Sequence, residues 1–116
     1  MRTLRRTGSH SRNRGYSKMA QFDVHRFGKA ALVVDCQSDL LNRLESRFVV
    51  PLLKRSEAPN IAQRLNPVFD IEGEEYVMLT QAAAAIRTRE LGPAIGSLAT
   101  RSFEITGALD VLISGV

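Results

Sequence analysis

Few side chains in this sequence are placed to do chemistry. Cys36 is the single cysteine; with no second thiol it forms no internal disulfide and offers no zinc-ligand spacing. It sits between Val33-Val34-Asp35 and Gln37, at the end of an apolar run, and reads as a buried or half-buried structural thiol. A lone reduced cysteine fits a reducing cytoplasm. His10 and His25 have no metal-site spacing, and His25 reads as a surface strand residue rather than a general base. The paired acids Glu74-Glu75 fall in a hairpin turn and should be solvated. Asp35-Cys36-Gln37-Ser38-Asp39 is more informative, because polar residues crowd the end of an apolar strand. Such a cluster either binds a partner or caps a loop through side-chain bonds to backbone amides. Gly92-Pro93-Ala94-Ile95-Gly96 lacks the lysine and hydroxyl of a phosphate-binding loop, and there is no Gly-x-Ser-x-Gly elbow. Nothing here demands catalysis, and no metal or cofactor is expected.

The elements that position these residues must come from 116 residues, enough for one domain with a core of its own. No apolar run approaches the ~20 residues that cross a bilayer, so no membrane association is expected. The net charge of +4 and the pI near 9.8 invite a nucleic-acid reading, but the charge is unevenly distributed. Residues 1–18 carry six basic side chains (Arg2, Arg5, Arg6, Arg12, Arg14, Lys18) and no acid; the remainder holds ten basic against twelve acidic residues, a net −2. The basic character belongs to this segment, which is too poor in large apolar residues to repay its ordering entropy. It reads as an extension upstream of a start at Met19, as a phosphate-attracting arm, or as a transit peptide. The domain proper is expected over residues 19–116.

Within the domain, Gln21-Phe22-Asp23-Val24-His25-Arg26 alternates polar and apolar, the pattern of a half-buried strand. Phe27-Gly28-Lys29 supplies a turn, and residues 30–35 form an apolar run predicted to be a central strand buried on both faces. Residues 37–46 read as a loop with one helical turn. Arg47-Phe48-Val49-Val50-Pro51-Leu52-Leu53 predicts a third strand, with Pro51 at an edge, a bulge or a bend because it cannot donate to a ladder. Residues 54–65, polar around Pro59, read as a connection. Strands at 67–71 and 75–80 flank Glu72-Gly73-Glu74 as a hairpin. Residues 82–91 predict a helical turn and then a short strand, ended by Gly92-Pro93. The last segment predicts a helix capped by Thr100 or Ser102. Its apolar stripe is Ile105, Leu109, Leu112 and Val116, with Val111 and Ile113 beside it; Gly107 weakens it by roughly 1 kcal/mol. Strands first and helix last make an α+β, mainly β class.

The order of these landmarks resembles the CcdB family of toxins from bacterial toxin–antitoxin modules. The resemblance rests on Met19-Ala20-Gln21-Phe22, Val34-Asp35-Cys36-Gln37-Ser38-Asp39, Val49-Val50-Pro51-Leu52, Leu65-Asn66-Pro67-Val68, Met78-Leu79-Thr80 and the apolar C-terminal helix with its short tail. It implies an SH3-like antiparallel sheet or barrel of about five strands, a small extra sheet and a C-terminal helix, assembled as a homodimer. It further implies a binding protein without catalytic residues that poisons DNA gyrase by gripping its A subunit and trapping the cleaved complex. A cognate antitoxin would neutralise it, and DNA would be met only through the antitoxin complex. By position, the gyrase-facing residues are Leu40, Leu41, Asp110, Ile113, Ser114, Gly115 and Val116. The family's terminal signature is Trp-Gly-Ile, and this chain has Ser114 at the tryptophan position and no Trp at all. Two other roles stand beside gyrase poisoning: a non-toxic, antitoxin-binding autoregulator, and an mRNA interferase, for which Arg26, Arg47 and His25 are the candidates.

Overall fold

The computed structural model describes residues 19–58 and 60–115. The basic segment 1–18, Pro59 and Val116 lie outside the described residues, as do the expectations attached to them. Seven strands run β1 (Asp23–Phe27), β2 (Ala31–Asp35), β3 (Ser46–Lys54), β4 (Val68–Ile71), β5 (Glu74–Met78), β6 (Ala84–Arg87) and β7 (Ala94–Ser97), followed by one helix, α1 (Ser102–Ser114). All pairings are antiparallel. The strand order is β4-β5-β3-β2-β1-β7, with β6 also on β3, and the sheet curls into a half-barrel. This is the α+β, SH3-like arrangement expected from the sequence, with the outlying β4–β5 hairpin continuous with the sheet through β3.

Alternation decides which side chains reach the core. Val24 pairs with Val34, Val34 with Val50, and Leu32 with Leu52, so these residues share one face. They are joined there by Phe22, Cys36, Phe69, Ile71, Met78 and Leu98. The opposite face of β2 is also covered, since Val33 and Asp35 are both buried. β2 is therefore the doubly buried central strand that its apolar run predicts. The β4–β5 turn is formed by Glu72 at φ 56° and Gly73 at φ 85°, a two-residue turn of the primed kind that suits hairpin twist. Asp70 Oδ1 accepts from Gly73 N–H at 3.0 Å.

Pro51 sits inside the longest strand. The strand partner on its outer side changes there: β6 pairs as far as Val49, and β5 pairs from Leu52. A residue without an N–H fits that gap, and its carbonyl accepts from Leu79 N–H at 2.9 Å. β7 is a strand the sequence did not announce. Three of its four residues, Ala94, Gly96 and Ser97, are small, and Gly96 lies opposite Val24.

Neither Thr100 nor Ser102 caps the helix. A 3-10 turn, Ala99–Arg101, runs straight into α1, and Ser97 Oγ accepts from Ala99 N–H at 3.1 Å at its start. The cap is thus moved to the front of the preceding turn. Ile105 and Ala108 are buried and Leu109 packs on the core. Burying Ile105 alone contributes about 1.5–3 kcal/mol. Leu112 and Ile113 remain exposed, so among the described residues the predicted stripe is buried at Ile105 and partly at Leu109 but not at Leu112.

Gly92 joins β7 to the barrel by close approach. Its N–H donates to Arg26 O at 2.7 Å, and Arg26 N–H donates to Pro93 O at 3.1 Å. A β-carbon at Gly92 would stand 2.8 Å from the Arg26 carbonyl oxygen, a backbone atom that cannot swing aside. Gly92→Ala should therefore cost about 1–3 kcal/mol by overpacking, read as a lower thermal midpoint in circular dichroism.

Candidate target-binding site

Two elements carry the residues that the sequence points to. The first is the turn after β2. Asp35 Oδ1 accepts from Gln37 N–H at 3.0 Å. Gln37 is itself buried and acts as a brace: its Nε2 donates to Leu41 O at 2.9 Å and its Oε1 accepts from Phe48 N–H at 3.0 Å. Ser38 Oγ accepts from Leu40 N–H at 3.1 Å, and Asp39 Oδ1 accepts from Gln21 N–H at 2.8 Å. Gln21 Nε2 in turn donates to Cys36 O at 3.0 Å. Of the two roles open to the Asp35 to Asp39 cluster, the geometry shows loop capping: each side chain fixes a backbone group. The product is a rigid 3-10 turn, Asp39–Leu41, presenting Leu40 at 92% exposure with Leu41 half-exposed beside it.

Beneath this turn lies a buried ion pair. Arg47 Nε donates to Asp35 Oδ2 at 2.9 Å, and Nη2 approaches the same oxygen at 2.7 Å, with both side chains fully buried. Arg47 Nη1 donates to Asn42 Oδ1 at 3.2 Å, so one guanidinium ties the end of β2 to the loop that follows the turn. The sequence offers Arg47 as a candidate for the mRNA-interferase role; the fold buries it in an ion pair.

The second element is the C-terminal end of α1. Asp110, Ile113, Ser114 and Gly115 lie together on its last turns, and Ile113 is 80% exposed. Gly115 adopts φ 77° and its N–H donates to Val111 O, a left-handed helix stop that glycine makes at little cost. Ser114 Oγ donates back to Asp110 O at 2.7 Å. Asp110 and Ser114 also line a groove of about 780 Å³ between α1 and the 61–68 segment. Phe103, which also lines this groove, is 87% exposed and was not singled out from sequence. Its signal was legible: it precedes Ile105 by two residues, which puts it on the far side of the helix from the buried stripe.

The remaining candidates fall away from any reactive site. His25 is 3% exposed, not a surface residue, because the segment around Gly92 covers it; its Nδ1 lies 3.1 Å from Gly92 O. Burial, foremost, lowers its pKa. Arg26 is exposed and follows His25 in β1, so the two point to opposite faces. Arg26, Arg47 and His25 are thus not gathered in one groove. Burial, with the Asp35 charge adding to it, pushes the Cys36 thiol up to about 12, as suits the structural thiol expected. No cluster of metal-ligating residues occurs among the described residues, and none of their helices is long and apolar enough to cross a membrane.

The family model described as CcdB protein matches residues 21–115, nearly the whole of the folded chain. The chain belongs to the CcdB family. It is thereby a toxin of the toxin–antitoxin type. The match also spans all seven strands and α1, so membership covers the complete fold.

Proposed function

We propose that this CcdB-family protein poisons DNA gyrase by binding its A subunit and trapping the cleaved gyrase–DNA complex. The site is formed by Leu40, Leu41, Asp110, Ile113, Ser114, Gly115 and Val116. The protein acts as a cytoplasmic homodimer, is neutralised by a cognate antitoxin, and meets DNA only through the antitoxin complex. The supporting observation is that the family match coincides with two rigidly held apolar residues, Leu40 and Ile113, that the fold leaves 92% and 80% exposed. A two-fold assembly doubles each such patch into one self-complementary surface. Exposed aliphatic anchors on braced backbone lose little entropy when they bind, which favours affinity.

The reading is tested by titrating the protein against a gyrase A fragment. Leu40→Asp and Ile113→Asp each place a charge in the contact and should weaken binding by about tenfold or more, the size expected of an anchor residue. Both positions are exposed, so the thermal midpoint should move little. Unchanged affinity in both variants would remove these residues from the site.

Ser114 favours a second reading, in which the chain binds its antitoxin and assists repression of its own operon without poisoning gyrase. A serine cannot supply the aromatic contact of the family's terminal signature. The mRNA-interferase reading has no such support, since Arg47 and His25 are buried.

A further inference from the structure

The chain enters the domain through an unusually constrained turn. Asp23 N–H donates to Ala20 O at 3.1 Å, and Ala20 N–H donates back to Asp23 Oδ2 at 3.3 Å. Between them Phe22 holds φ at 73°, in the left-handed region that is costly for a residue with a β-carbon. The surroundings enforce it. The Phe22 side chain lies in the core, its N–H donates to Asp35 O, and its carbonyl accepts from Leu98 N–H at 2.8 Å. The Ala20 nitrogen is therefore fixed against the Asp23 carboxylate.

Among the described residues, that carboxylate has no cation in contact with it. Asp23 is 5% exposed. His25 lies on its own strand, Asp35 on β2, Asp39 on the following turn, Arg47 on β3, and uncharged Ser97 opposite it on β7. Arg47 is committed to Asp35 and Asn42, and burial keeps His25 toward its neutral form. Several acids thus share one guanidinium, and the direct partner of Asp23 among the described residues is a backbone amide. Burial, joined by repulsion from Asp35 and Asp39, pushes Asp23 up to about 7.

We propose that the mature protein begins at Ala20: translation starts at Met19, the methionine is removed, and the α-ammonium of Ala20 forms an ion pair with the buried Asp23 carboxylate. The processing step is hydrolysis by a methionine aminopeptidase. Water adds hydroxyl to the Met19 carbonyl carbon and a proton to the Ala20 nitrogen, after any N-formyl group has left as formate. Excision of an initiator methionine requires a small residue behind it, and Ala20 is one. Ala20 is also exposed, and the family match begins one residue later, at 21. The acid-free segment 1–18 contributes nothing to that match. An ammonium at this distance favours the charged forms of both groups, drawing Asp23 down and the amine above its ordinary range of about 7.7–8.0. The ion pair is independent of the toxin's target.

The first test is the intact mass of the protein made from its own gene with its natural upstream region. The expected mass is that of residues 20–116 with an unmodified amine. A product that begins at Met1, keeps Met19 or is acetylated at Ala20 overturns the proposal. The second test compares thermal midpoints at pH 7 for the Ala20-start protein, its Nα-acetylated form and the full chain, each with and without Asp23→Asn. The Ala20-start protein should melt about 4–8 °C above both others, and Asp23→Asn should abolish the gap. Equal midpoints, or a gap that survives Asp23→Asn, overturn the ion pair. The pH profile gives an independent reading. Where Asp23 keeps its raised pKa, the folded state holds a proton that the unfolded state releases, so its contribution is full below about 3.8 and lost as pH rises through about 7. That decline should be present in the acetylated form and the full chain and shallower in the Ala20-start protein.

Discussion

Arg47→Met is expected to destabilise the protein by about 3–5 kcal/mol, the cost of leaving a buried charge without its partner. Domains of this kind are held by only about 5–15 kcal/mol in total, so the thermal midpoint should fall by at least roughly 12 °C. The magnitude follows from three observations. Both side chains are fully buried, the guanidinium reaches Asp35 through two nitrogens, and its third nitrogen holds Asn42. Removing it strands Asp35 near Asp23, a second buried acid. Methionine fills comparable volume, so the loss measures charge more than cavity. Asp35→Asn in the same background keeps an oxygen for Gln37 N–H and removes the stranded charge; it should restore part of the midpoint. Circular dichroism melts of the parent and the two variants check this, and an Arg47→Met protein as stable as the parent would show the pair to be dispensable. Because Arg47 also steadies the loop behind Leu40 and Leu41, the variant should bind its target less well even where it remains folded.

Ser114→Trp is expected to tighten binding to a gyrase A fragment by roughly 30-fold or more. A buried aromatic side chain removes about 150–250 Å² from water, worth roughly 4–6 kcal/mol at about 25 cal/mol/Å². Only part of that survives the costs of association. Tryptophan anchors at interface centres commonly exceed about 2 kcal/mol, and each 1.4 kcal/mol is tenfold. Ser114 is exposed and its hydroxyl bonds only within its own helix, so the substitution disturbs no core packing and should leave the thermal midpoint nearly unchanged. Calorimetric titration against the same fragment reads the difference. Equal affinities for parent and variant would place the helix end outside the contact.

The elements most legible in the sequence were those with a strong local pattern, whether polar–apolar alternation or a continuous apolar run. The hairpins β1–β2 and β4–β5 join strand-like runs, one of them the continuous apolar run of β2, and are closed by glycines at positive φ, Gly28 and Gly73. β7 was not legible, because Ala94-Ile95-Gly96-Ser97 carries little apolar weight; it becomes a strand by pairing with β1. β6 was seen only in part. Ala84 and Ala85 favour helix by propensity, yet they pair with Val49 and Phe48 on β3, so tertiary pairing overrides propensity. His25 looked like a surface residue because the segment that covers it is 67 residues further along the chain. The Asp35–Arg47 pair was hidden for the same reason: each reads locally as a charge at a strand end, and only the β2–β3 pairing brings them together. Of the site, the Leu40-Leu41 turn and the helix end could be placed from the family resemblance, whereas the bracing by Gln37 and the exposure of Phe103 required the fold.

The measurement that tests the central claim most directly is a cleavage assay with purified gyrase, supercoiled plasmid and this protein, stopped with detergent and protease. Gyrase poisoning predicts that linear DNA accumulates with increasing protein, and that Leu40→Asp and Ile113→Asp reduce it. Plasmid that stays uncut at every concentration, while the protein is folded and a tryptophan-bearing Ser114→Trp variant does produce linear DNA, would contradict gyrase poisoning by this chain.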